Sequence, residues 1–247
     1  MSKRLDVQIW SDIACPWCFV GKRRFEAALA RFPHAEDVHV HWRSFELDPS
    51  APRVRPPQDY AERLAGKYGM SREQAQGRID QLVNVAQAEG LQLNFKEIQP
   101  GNTFDAHRLL HLAQAHGLQA ALKERLLRAY LSEGRPIGEH STLLQAASDV
   151  GLDVDLAQAT LATDQYAREV RADQELARRL GISGVPFFVL DGHYAVEGAQ
   201  PTELMLSALT RAYAELPELP ELTQLSAAEG AVCGPDGCTP AAADSSN

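Results

Sequence analysis

The chain is poor in the features that would staple it, anchor it or suit it to polyanions. It has only four cysteines in 247 residues, too few for a disulfide scaffold. It has no run of about 18 apolar residues, so a membrane span is not expected. No apolar stretch of signal-peptide length precedes the first cysteine, and the expected location is therefore the cytoplasm, where structural disulfides are uncommon. Positive charge is in the minority: 24 Lys and Arg stand against 33 Asp and Glu, for a net charge of −9. A general nucleic-acid binder needs clustered positive charge, so that class is excluded. There is no glycine-rich phosphate loop and no Gly-x-Ser-x-Gly elbow, which leaves nucleotide and esterase chemistry without support.

What is present is ordinary globular material. Hydrophobic residues make up 45% and charged residues 23%, enough for one large domain or two small ones with a sizeable core. Leu5, Val7 and Ile9 alternate onto one face of a first strand. A helical pattern then runs from Cys15 to about Phe32, and Val38 to Leu47 alternates again, with His39 and His41 on a solvated face and Trp42 in the core. From about Gln58 to about Leu180 the pattern is helical, punctuated by Gly69, Gly90, Gly101, Gly117, Gly134, Gly151 and Gly181. Ala106, Leu109, Leu110 and Ala113 form one apolar stripe, and Leu122, Leu126, Leu127 and Tyr130 another. Val185 to Leu190, the turn pair Asp191-Gly192 and a returning strand from His193 to Val196 read as a hairpin. Pro201 to Leu216 reads as a last amphipathic helix. A βαβ unit opens the chain and a ββα unit closes it. A crossover needs only about 30 residues in all, so the helices between are an insertion.

The four cysteines fall in two close pairs. Cys15-Pro16-Trp17-Cys18 follows a strand and opens a helix. A helix N-terminus presents free N–H groups and the positive end of the dipole, both of which stabilise a thiolate at Cys15. Pro16 sits in the first turn, where its missing N–H has no effect. Cys18 is three residues on, so both sulfurs face one side. Cys15 would attack and Cys18 would resolve the mixed disulfide. Half of a zinc site and a pair of inert thiols are the other readings of this motif. Pro186 is the second signal, because a proline heading an apolar strand removes a ladder donor. It is either an edge or turn proline, or a cis proline that leaves the backbone of Val185 free to pair with an extended substrate.

Together these elements resemble the thioredoxin superfamily. Cys15-Pro-Trp-Cys18 after the first strand, the helical insertion and Gly-Ile-Ser-Gly-Val-Pro186-Phe-Phe-Val are similar to the DsbA-like branch, and within it to the FrnE-type proteins. Trp42-Arg-Ser-Phe-Glu-Leu-Asp-Pro49, Asn102-Thr-Phe-Asp-Ala-His107-Arg-Leu109, Glu133-Gly-Arg-Pro-Ile137 and Val196-Glu-Gly-Ala-Gln-Pro201 add to the likeness, which covers about residues 5–215. It implies an α/β thioredoxin fold interrupted by a large all-helical insertion, with residues 1–57 and 175–216 forming the discontinuous thioredoxin-like domain, 58–174 the inserted domain and 217–247 a tail. It also implies dithiol–disulfide exchange and a cis Pro186 beside Cys15. No cofactor is called for. The expected partners are protein or peptide thiols, with glutathione or a thioredoxin-type reductant as the reducing partner. Pro16, Trp17, Val185, Pro186 and His107 are the candidate substrate-binding residues. For His107 an ordinary place on the helix surface is the other reading.

Two departures stand out. Many thioredoxin-like proteins carry a buried carboxylate six residues before the first cysteine, and Ile9 stands there. Proton handling must differ accordingly. Trp17 stands where strongly oxidising relatives have histidine, so a less depressed Cys15 pKa and a less oxidising couple are expected, with reductase or isomerase work as plausible as oxidation. The second pair, Cys233-Gly-Pro-Asp-Gly-Cys238, brackets a tight-turn sequence. It is expected to be an auxiliary redox relay, with a structural clip or a metal-binding pair as alternatives. Two rival functions remain. One is a glutathione-dependent transferase or isomerase of the kappa-class or 2-hydroxychromene-2-carboxylate isomerase type, which uses serine where Cys15 stands. The other is a metal- or partner-binding module. His107 and His111 have metal-capable spacing, but no glutamate follows His107 in the metalloprotease manner.

Overall fold

The computed structural model describes residues 3–54 and 59–217, and backbone strands at 232–234 and 237–239. Residues Lys3–Leu216 form one compact unit. Its sheet has the order β2-β1-β3-β4. The strands are β1 (Leu5–Ser11), β2 (Val38–Ser44), β3 (Phe187–Leu190) and β4 (Tyr194–Glu197). β1 and β2 run parallel and are joined by α1 (Pro16–Arg31), while β1–β3 and β3–β4 are antiparallel. Between β2 and β3 come α2 (Tyr60–Tyr68), α3 (Arg72–Ala88), α4 (Phe104–Ala115), α5 (Gln119–Leu131), α6 (His140–Asp149), α7 (Val154–Ala162) and α8 (Ala167–Arg179). α9 (Thr202–Ala214) closes the unit. This is a thioredoxin-like core interrupted by a helical insertion.

The alternation of β1 decides what lies on each side of the sheet. Leu5, Val7 and Ile9 pack with Phe25 and Ala28 of α1, Phe188 of β3, and Met205 and Leu209 of α9. Phe25 and Phe188 stack with ring centres 5.6 Å apart, and burial of each ring contributes about 1.5–3 kcal/mol. Trp10 points to the other face, where α8 covers it: its indole N–H donates to the carbonyl of Asp173 at 3.0 Å. The stripes read on α4 and α5 are buried together in the core of the insertion.

The insertion is fastened to β2 and its following loop by buried polar groups. The Asp173 carboxylate of α8 accepts from Arg43 at 3.0 Å and from the backbone N–H of Ser44 at 2.9 Å. The buried Glu46 accepts from Gln174 at 2.7 Å and Arg171 at 3.0 Å. β3 begins at Phe187 rather than at Val185, because Pro186 has no N–H to donate and the Val185 carbonyl is turned toward Cys15.

The tail hairpin is a separate unit. β5 (Val232–Gly234) pairs antiparallel with β6 (Gly237–Thr239), and Cys233 stands directly opposite Cys238 in the register. The side chains of Cys233 and Cys238 lie outside the described residues, so the relay expectation does too.

Candidate active site

The site grows from the end of β1. After Ser11 the chain turns through Asp12 to Ala14 and enters α1 with Cys15 as N-cap, in extended conformation, and Pro16 in the first turn. The cap is the nucleophile candidate itself: Cys15 Sγ accepts from the backbone N–H of Cys18 at 3.3 Å. Its thiol in turn lies 3.6 Å from the carbonyl oxygen of Val185, to which it donates. The Val185–Pro186 peptide bond is cis. Cys15 and Cys18 are both free thiols, 4% and 1% exposed.

The small difference in exposure has a direction. A cavity of about 920 Å³ opens on Cys15, Pro16, Trp17 and Val185, and Cys18 lies behind its wall. Trp17 is exposed beside it. Tyr60, Arg63, Lys67 and Arg78 from α2 and α3, and Tyr130 of α5, also line it. Arg63 lies over the ring of Tyr60 at 4.8 Å, and Lys67 over that of Tyr68 at 5.6 Å.

Burial and neighbours divide the two thiols. Cys15 is held well above the ordinary thiol value, first by its interaction with the Cys18 side chain, then by burial and by the negative charges of Cys18 and Asp12. Burial also opposes ionisation of Cys18, but the Cys15 thiol, the charge of Lys123 and the Ser11 hydroxyl more than offset it, and Cys18 is lowered. The two thiols thus titrate as a pair rather than as separate groups. The helix N-terminus alone pointed to a Cys15 thiolate; the neighbouring Cys18, burial and, last, the charge of Asp12 oppose that preference. A thiolate formed on Cys15 stands on the cavity wall, which Cys15 lines and Cys18 does not.

Three residues of the site escaped the sequence reading or were misplaced by it. His107 reaches neither the cavity wall nor the helix surface. It is fully buried, and its Nε2 stands 3.3 Å from Asp12 Oδ1. Asp12 was not singled out, yet its carboxylate also accepts from Leu47 N–H at 2.8 Å and so ties the β1 turn to the loop after β2. Its only sequence signal is a carboxylate three residues before Cys15. Lys123 was not singled out either. It is 0% exposed, and its ammonium donates to the carbonyl of Ser11 at 3.2 Å. The signal was available: Lys123 falls at i−3 and i−4 from Leu126 and Leu127, on a stripe read as core. His111 diverges from His107 and bonds Ser44 Oγ at 3.1 Å and Asp173 at 3.1 Å. Among the described residues no group of three or more His, Cys, Asp and Glu is arranged to hold a metal.

The arrangement defines a class: a thioredoxin-fold protein with a dithiol at a helix N-terminus, a cis proline beside it and a cavity over the outer sulfur. The DSBA-like thioredoxin domain family matches residues 6–210. The chain belongs to that family, and its cysteine pair makes it an oxidoreductase. It is 47% identical to a protein of Streptomyces coelicolor described as a probable DsbA oxidoreductase, with a TM-score of 0.81 over 96% of this chain and 99% of that one. YwbO of Bacillus subtilis, itself uncharacterised, is 29% identical over 83% of this chain and 95% of its own length. The cytosolic disulfide reductase DsbM of Pseudomonas aeruginosa shares the fold at 20% identity, with a TM-score of 0.60 over 83% of this chain and 98% of DsbM. No described helix is long and apolar enough to cross a membrane.

Proposed function

We propose that the protein is a thiol–disulfide oxidoreductase and isomerase of the FrnE type, acting on protein or peptide dithiols and disulfides in the cytoplasm. The observation that carries this reading is the placement of Cys15: N-cap of α1, on the cavity wall, 3.6 Å from the Val185 carbonyl. The Cys15 thiolate attacks a substrate disulfide, forms a mixed disulfide and expels one substrate thiolate. Cys18 then attacks the Cys15 sulfur, closes the Cys15–Cys18 disulfide and releases the second substrate thiolate, so two electrons pass to the substrate. The reverse sequence oxidises a dithiol. Pro16 and Trp17 offer an apolar platform, and Val185 and Pro186 align the substrate backbone.

Arg63, Lys67 and Arg78 support an acidic small thiol as reducing partner. They have no ion pair among the described residues and line the same cavity as Cys15. Glutathione, with its two carboxylates, has that chemistry, and a DsbM structure was solved with it. The Cys233–Cys238 pair is read as the auxiliary dithiol. Directly opposed residues of a hairpin have Cα atoms about 4.5–5.5 Å apart, within disulfide range.

The test is insulin reduction in the presence of glutathione by the wild type and by Cys15→Ser. The variant is expected to lose exchange altogether. Undiminished activity in Cys15→Ser would overturn the assignment.

A further inference from the structure

In a chain with 33 Asp and Glu against 24 Lys and Arg, a basic side chain readily finds an acidic partner. Arg63, Lys67 and Arg78 line the cavity of Cys15 and have none among the described residues. Two carboxylates line it too, but Asp12 is 1% exposed and matched by His107. The accessible wall thus carries three cations against the carboxylate of Asp48. Arg63 is half-buried, whereas Lys67 and Arg78 are exposed. The Arg63 guanidinium lies 4.8 Å from the centre of the Tyr60 ring, and that ring packs against Phe95 at 4.7 Å. Burial raises the phenols of Tyr60 and Tyr130, and the hydrogen bond and charge of Arg63 act against the rise. A guanidinium has five N–H donors, more than two phenol oxygens take up, and its planar edge matches a carboxylate. Access to the nucleophile is the second observation. Cys15 is 4% exposed, so the sulfur that meets it must enter the cavity on a slender chain. Trp17 and Tyr68 line the same cavity and are 43% and 58% exposed, which leaves apolar surface for a bulkier group.

A disulfide that is slender and acidic on one side and bulky on the other is a mixed disulfide between a small acidic thiol and a protein cysteine. We propose that such capped proteins are substrates, and that the protein removes the cap. This rests on Cys15 being the nucleophile of the oxidoreductase proposed above. The acidic half enters the cavity with a carboxylate on Arg63, while Lys67 and Arg78 add positive charge along the wall. The protein half stays outside, over Trp17 and Tyr68. The sulfur that Cys15 reaches is therefore the cap's. The Cys15 thiolate attacks it, a Cys15–cap disulfide forms, and the bond between cap and protein sulfurs breaks. The protein leaves as a thiolate and takes a proton from water. Cys18 then yields its proton to water and attacks the Cys15 sulfur, and the cap leaves as a thiolate. Two electrons have passed to the mixed disulfide. Two molecules of the free small thiol reduce the Cys15–Cys18 disulfide and become a disulfide themselves. Attack on the protein's sulfur instead would draw the carboxylates away from the three cations.

The experiment uses the full chain with Cys18→Ser, which leaves the first adduct unresolved, and with Cys233 and Cys238 replaced by serine so that only Cys15 reacts. The probe is a folded protein whose single surface cysteine is capped with glutathione. The same protein capped with neutral 2-mercaptoethanol or cationic cysteamine serves as control. Mass spectrometry is expected to find glutathione on Cys15 and the probe released as a free thiol. The probe protein on Cys15 overturns the proposal. Each transfer rate is divided by that of dithiothreitol on the same probe, which cancels the intrinsic reactivity of the cap. On this scale the glutathione cap should transfer about tenfold faster than the neutral one, with the cationic cap slowest and the advantage shrinking as salt is added. Equal rates overturn the proposal. Arg63→Gln should cut the acidic-over-neutral ratio about tenfold. Lys67→Gln combined with Arg78→Gln, at two exposed positions where folding is not at stake, should also lower it. A ratio unchanged in both variants sinks the idea. An adduct with insulin but with no capped probe defeats this proposal alone. No adduct with insulin or any probe defeats the Cys15 reading itself.

Discussion

Asp12, three residues before Cys15, and His107 meet at 3.3 Å, each side chain only 1% exposed. Burial alone would raise the Asp12 carboxyl, but the hydrogen bond and charge of His107 and the N–H of Leu47 hold it below the usual range. The pair joins the end of β1 to α4, and so joins the cysteine-bearing turn to the insertion.

Asp12→Asn is expected to make the dithiol more acidic. The Asp12 charge opposes ionisation of Cys15, and asparagine removes it while keeping an acceptor for Leu47. The ultraviolet thiolate titration should therefore move to lower pH. Loss of one member of a buried pair also destabilises, by about 3–5 kcal/mol, readable as a lower denaturant midpoint. An unmoved titration would show that Asp12 does not act on the sulfurs.

Gly21→Ala tests the support of the Val185–Pro186 segment from below. A Cβ at Gly21 would lie 2.8 Å from Pro186 Cγ and 3.4 Å from Pro186 Cβ. Helix propensity favours alanine by about 1 kcal/mol, but overpacking of this kind costs about 1–3 kcal/mol. Displacement of Pro186 should also move the carbonyl of Val185 away from Cys15. The expected loss of kcat/KM in disulfide exchange is about tenfold to a hundredfold, with only a small fall in thermal midpoint. Wild-type kinetics in Gly21→Ala would show that the segment yields without consequence.

Asp173→Asn addresses the seam between α8 and β2. Burial opposes the Asp173 charge, but His111, the N–H of Ser44 and Arg43 together hold its pKa below the ordinary carboxylate value. A carboxylate with a depressed folded pKa contributes stability that is full above its unfolded value of about 3.9 and is lost as pH falls through the folded value. The wild type should thus lose stability on acidification below about pH 4. Asp173→Asn should be less stable at neutral pH and less sensitive to acid in that window. Denaturant midpoints at neutral and acid pH check both signs.

Most of the architecture was legible in local pattern. The period-2 alternation of Leu5, Val7 and Ile9, the glycine punctuation of the helices and the Asp191-Gly192 turn are short-range signals, and the observed elements follow them closely. The outer cysteine, the exposed Trp17 and the buried Trp42 also stand where the sequence led. His107 did not. Nothing local reveals that a histidine on an amphipathic helix will be sealed by a carboxylate 95 residues earlier, because ion pairing across elements leaves no periodic trace.

The sequence by itself determined the dithiol, the strand–helix junction that carries it, the proline that faces it and the split of the thioredoxin-like core by helices. These depend on neighbours a few residues apart, through caps, turns and periodicity. How the two sulfurs differ in their surroundings was decided only by tertiary structure. Ser11 and Asp12 come from one end of β1, Val185 from the chain before β3 and Lys123 from the insertion. A thiol buried to within a few per cent is governed by the charges and dipoles nearest to it, and in this protein those arrive from three separate stretches of the chain.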